Sequence, residues 1–99
     1  MKAITANLPF VPVGAHTQNK TLSSVVSITV PAGASIMMMQ AQVQNIRFTL
    51  DGTTATTGVG FQLTASDTPV IIPVRPGQVV KFIEEATTAE LDYQFGRND

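Results

Sequence analysis

The chain has no cysteine and no tryptophan, a single histidine and a single tyrosine, and only 13% of its residues are charged. Without cysteine it can form neither a disulfide nor a thiolate metal site, a composition compatible with assembly in a reducing cytoplasm. One imidazole, His16, cannot supply the several that a histidine-rich metal centre needs, so no cofactor or metal is expected. The six cations, Lys2, Lys20, Arg47, Arg75, Lys81 and Arg97, are scattered and the net charge is −1. A groove that tracks phosphates needs clustered cations, so nucleic-acid binding is not expected. Asn7, Pro9 and Pro12 interrupt the only apolar stretch near the start, which leaves no signal-peptide core and no membrane span in the sequence. A helical period of 3.6 does not persist over ten residues anywhere.

What is present is a strand period. Leu22, Ser24, Val26, Ile28 and Val30 share one face of a strand rich in β-branched residues, and Pro31 to Ala34 is a turn. Met37, Met39, Ala41 and Val43 fall on one side of the next strand. Ile46, Phe48 and Leu50 then take the opposite parity, so a turn or bulge belongs near Gln44-Asn45. Val59, Phe61 and Leu63 alternate next, and the phenylalanines Phe48, Phe61, Phe82 and Phe95 all read as core residues. Val70-Ile71-Ile72 is apolar on both faces and flanked by Pro69 and Pro73, which marks an edge strand that something should cover. Val79 to Glu84 is a further strand. Ala89, Leu91, Tyr93 and Phe95, alternating with Glu90, Asp92 and Gln94, form the clearest half-buried strand.

Three residues stand out as structural turns: Asp51 and Gly52 after the central strand, and Gly77 in Arg75-Pro76-Gly77-Gln78, a type II pattern with proline second and glycine third. Seven or eight short, mostly antiparallel strands predict an all-β fold, a small β-sandwich of jelly-roll type. Residues 21–99 read as one domain. Residues 1–20, with Pro9, Pro12 and Gly14, read as an extended N-terminal arm or an edge strand, and the arm reading places them on a neighbouring subunit.

No catalytic residues are assigned. Ser23, Ser24, Ser27, Ser35 and Ser66 lack any nucleophile-elbow context. Glu90 and Asp92 share a strand face about 7 Å apart, a spacing that reads as two solvated acids. The chain is therefore expected not to be an enzyme. A surface so poor in charge points to coverage by partners, and 99 residues leave little stability to spare without them. The candidate interface residues are Leu8, Phe10, Val11 and Val13 of the N-terminal segment, Met38, whose flexible thioether suits an irregular contact, and Val70, Ile71 and Ile72. A homo-oligomer is the expected state. A carbohydrate-binding module is the rival for a small all-β chain, disfavoured by the shortage of rings for a sugar platform.

Gln40-Ala41-Gln42, then Asn45-Ile46-Arg47-Phe48, Asp51-Gly52-Thr53 and Thr56-Thr57-Gly58, with Val79 to Glu84 as a penultimate strand, resemble a family of small β-rich virion proteins of tailed bacteriophages. The resemblance runs from Met37 to Phe95. It implies a structural virion component, on the capsid or at the head–tail region: first of all a capsid decoration (cement) protein, with a head–tail or tail-associated adaptor as the alternative; a host-surface glycan-binding module stays a further alternative that rests on the all-β class alone. It implies as partners the major capsid protein or other virion proteins and copies of the chain itself, a trimer by virion symmetry. The place would be the virion, after assembly in the host cytoplasm.

Overall fold

The structure, a computed structural model, describes residues 9–98. They form an all-β sandwich of eight strands and no helix: β1 Val11–Asn19, β2 Val26–Thr29, β3 Ile36–Gln42, β4 Ile46–Thr49, β5 Phe61–Leu63, β6 Val70–Pro73, β7 Val79–Glu84 and β8 Glu90–Arg97. One sheet has the order β1-β8-β3-β6 and the other β2-β7-β4-β5. All pairings are antiparallel. Strand 1 pairs with 8, 2 with 7, 3 with 6 and 4 with 5, which is one long antiparallel ribbon wound on itself. The β3–β8 and β4–β7 ladders then seal each sheet, and the result is the jelly-roll winding.

The period of two puts Met37, Met39, Ala41, Leu91 and Phe95 of the first sheet against Ile46, Phe48, Leu63, Val80 and Phe82 of the second. Burial of this single apolar layer is the main stabilising term. The parity change between β3 and β4 is absorbed at Val43. That residue takes φ 73° and lies 55% exposed, while the Gln44 N–H bonds back to the Gln42 carbonyl at 2.9 Å. Val43 therefore leaves the inward set to which alternation assigns it.

Residues Val11–Asn19 pair with β8 of the same chain, from Val11 opposite Arg97 to Asn19 opposite Leu91. They occupy a sheet edge, where Pro12 costs no ladder bond. The register shifts between Val13 and Thr17. The carbonyl of Gly14, at φ 79°, accepts from Gln94 Nε2 at 3.1 Å, so the irregular segment keeps a partner. The proline-flanked β6 forms the opposite edge of that sheet.

Gly52 and Gly77 take φ 88° and 87°, the left-handed backbone their turns demand. Asp51 Oδ1 accepts the Thr53 N–H at 3.0 Å and fixes the first turn. A Cβ at Gly52 would meet nothing within 4 Å, so only the backbone conformation resists a side chain there. Gly52→Val is expected to destabilise the fold by about 1 kcal/mol. Urea denaturation measures it, and an unchanged midpoint would mean the loop carries no constraint.

Candidate interaction surface

The outer face of the β1-β8-β3-β6 sheet divides into an apolar and a polar half. Across the strands, Ile36 lies between Pro73 and Gly96, and Met38 between Ile71 and Gln94. Gly96 carries the ring of Phe10: a Cβ at that glycine would come within 2.7 Å of two ring atoms. Ile36 is only 5% exposed yet does not belong to the main core cluster. Phe10, Ile36, Met38 and Ile71 thus make a second, smaller apolar layer on the outside of the sheet. Sheets of this kind more often present polar residues there.

Three of the sequence-derived interface residues, Phe10, Met38 and Ile71, meet on this face. The others do not join them. Val13, Val70 and Ile72 pack against the core between the sheets. Val11 has the parity of Val13, on the inward side. Leu8 lies outside the described residues. The split follows from strand geometry, because neighbours in sequence point to opposite faces. Val70 and Ile72 therefore face the core, and Ile71, between them in sequence, faces outward.

The polar half is bonded within itself. Gln42 Nε2 donates to Asp92 Oδ2 at 2.9 Å and Gln18 Nε2 to Glu90 Oε1 at 3.3 Å. Lys20 Nζ lies 4.0 Å from Glu90, and His16 Nε2 lies 3.9 Å from Asp92. Glu90 and Asp92 thus each accept an amide hydrogen bond, and Glu90 lies at ion-pair distance from Lys20. A recess of about 160 Å³, lined by His16, Met38, Gln40, Pro69, Asp92 and Gln94 among others, sits where the two halves meet. Asp92 Oδ1 is buried beside it without a hydrogen-bond partner among the described residues.

The other sheet shows a different outer face. Arg47 Nε donates to Glu85 Oε2 at 2.5 Å and Nη1 to the Gly60 carbonyl at 3.0 Å, and Gln62 donates to the same carboxylate oxygen at 2.8 Å. The Gln62 hydrogen bond, with that of Arg47 and its charge, holds the Glu85 carboxyl below its ordinary range. Glu84 points the opposite way, into the sandwich, where Oε1 accepts the Ala89 N–H at 3.3 Å.

Phe61, like Val43, departs from its sequence assignment. Phe61 is not a core residue but lies 65% exposed. It has the inward parity of Phe48, its register partner, and its ring centroid is 5.7 Å from that of Phe48. It belongs, however, to β5, the outermost strand of its sheet, where the facing sheet does not cover it. Beside it runs a groove of about 510 Å³, lined by Thr49, Leu50, Asp51, Thr53, Gly60 and Phe61. Alternation reports the side of a sheet and not whether another sheet reaches that far, so the groove has no sequence signal except the short length of its strand.

Comparison with protein-family models, with curated proteins and with solved structures gave no match to this chain.

Proposed function

We propose that the chain is a non-enzymatic structural protein of a tailed-phage virion, acting as a capsid decoration protein that binds the major capsid protein and copies of itself. The observation that carries the reading is the apolar layer on the outside of the β1-β8-β3-β6 sheet, where Phe10, Met38 and Ile71 converge. Such a layer gains by being covered, at roughly 25 cal/mol for each Å² removed from water. A jelly roll suits the task because both its sheets are closed by ladders to four strands, so a contact face is held rigid. The resemblance of the strand and turn motifs, Gln40 to Gln42 through Asp51-Gly52-Thr53, to small phage virion proteins suggests the class of particle. By virion symmetry the oligomer is a trimer placed where capsomers meet, and its work is to bury surface across subunit joints.

Quantitative mass spectrometry of purified particles tests this, with the wild-type chain compared against Ile71→Lys. A copy number near that of the major capsid protein supports decoration, and Ile71→Lys should then lower occupancy at least ~10-fold, since a charge forced into an apolar contact costs more than 1.4 kcal/mol. Its thermal melting should stay close to wild type, because Ile71 faces away from the core. A few copies per particle would instead favour a head–tail adaptor. Absence from particles overturns the virion reading altogether.

A further inference from the structure

The groove beside Phe61 has a chemistry of its own. Part of its lining is apolar, Leu50 and Phe61, and the Phe61 ring packs on Phe48 at 5.7 Å with the planes 42° apart. The rest of the lining is polar or backbone, Thr49, Asp51, Thr53 and Gly60, with Asp51 and Thr53 on an exposed turn. The turn is fixed rather than loose. Asp51 Oδ1 accepts the Thr53 N–H at 3.0 Å, Thr49 Oγ1 donates to the Thr53 carbonyl at 2.5 Å, and Gln78 Nε2 donates to the Leu50 carbonyl at 2.9 Å. Hydrogen bonds from the Thr53 side chain and backbone also keep the Asp51 carboxyl below its ordinary range, so it stands ionised and acts only as an acceptor.

We propose that this groove binds a neutral pyranose sugar, with a C–H face of the ring on Phe61 and a hydroxyl donating to the Asp51 carboxylate. A pyranose offers both an apolar face and a rim of donors, which match the apolar residues and the acceptor carboxylate of this lining. Aromatic faces are electron-rich and attract polarised C–H groups. A hydroxyl given to a carboxylate makes a charge-assisted bond, stronger than one to a neutral acceptor. The volume, about 510 Å³, lies within the usual range of small-molecule sites. Among the described residues the only charged one in the lining is Asp51, which repels phosphates, uronic acids and sialic acid alike. An apolar segment of another protein would have to desolvate that carboxylate with nothing to pair it, which opposes such an occupant. The site is independent of the virion reading and lies on the other sheet from the apolar layer that carries it.

The test is a two-dimensional amide NMR titration of the full chain with methyl β-D-galactopyranoside, methyl β-D-glucopyranoside and methyl α-D-mannopyranoside. At least one should give saturable shifts at Thr53, Gly60 and Phe61, with a dissociation constant of millimolar order. Phe61→Ala should weaken that binding ~10-fold, the scale of one lost ring contact, while Phe61→Tyr keeps it. Asp51→Asn should weaken it also, and its amide oxygen can still accept the Thr53 N–H, so the turn survives. The same spectra report whether each variant is folded. The proposal is overturned if no sugar shifts these amides, if the shifts survive Phe61→Ala in a folded protein, if they gather around His16 and Asp92 instead, or if p-cresol or butylammonium fills the groove and none of the sugars does.

Discussion

Replacing Gly60 with alanine is expected to lower the stability of the fold by about 3 kcal/mol, a large share of what a domain of this size possesses. Two effects combine. Gly60 has φ 129°, a conformation in which a Cβ is strained whatever the surroundings. A Cβ there would also lie 2.8 Å from the carbonyl oxygen and 3.1 Å from the nitrogen of Phe48. Those atoms belong to β4, which is laddered to β5 on one side and β7 on the other, so they cannot retreat without breaking strand bonds. The Gly60 carbonyl is held as well, by Arg47 Nη1 at 3.0 Å. Gly52 provides the contrast: its positive φ is similar in sense, but open space surrounds it, and strain alone is at stake. Thermal unfolding of Gly60→Ala should show a midpoint lowered by ~12–24 °C, at ~4–8 °C per kcal/mol for a domain of this size. A fall of only a few degrees would mean that β5 shifts freely and that the position of Phe61 is not fixed by its neighbour.

The difference between these two glycines shows what a sequence of this kind discloses. The turn chemistry at Asp51-Gly52 and at Pro76-Gly77 is local, and local chemistry is legible: both glycines take the positive φ that their patterns require. Alternation likewise reports the inward side of β8, where Leu91 and Phe95 are buried, and the prolines beside β6 report an edge. Gly60 gives no such warning, because its constraint comes from the backbone of Phe48, twelve positions back in the chain. The convergence of Phe10 on Gly96 depends on the β1–β8 pairing of the two ends of the described chain, a long-range event with no local trace. Phe61 fails for a related reason. Its parity is right, and its burial depends on how far the opposite sheet extends. The outer apolar layer was therefore legible residue by residue, in Phe10, Met38 and Ile71, but not as a set. Of the groove beside Phe61 only the Asp51 turn was legible, not the recess it helps to line.

Phe82→Ala is expected to cost about 3–5 kcal/mol, the range for truncating a fully buried aromatic side chain. Phe82 is 0% exposed and sits on β7, an inner strand between β2 and β4. Its register partners are Val26 on one side and Phe48 on the other, with the Phe48 ring centroid 6.0 Å away. Phe61, Phe48 and Phe82 thus form a row of rings across three strands, buried at one end and open to solvent at the other. Removing the buried end leaves a cavity that the neighbouring strands cannot close, since ladders fix their spacing at ~4.8 Å. The open end behaves differently: at 65% exposure, Phe61→Ala forfeits little burial and should cost under ~1 kcal/mol. Urea denaturation with an unchanged m-value gives both quantities. A cost near 1 kcal/mol for Phe82→Ala would mean that the rings repack into the gap, and Phe48 would then no longer brace Phe61. A folded Phe82→Ala should therefore also broaden or move the Phe61 ring resonances, because the ring that steadies Phe61 is itself seated on Phe82.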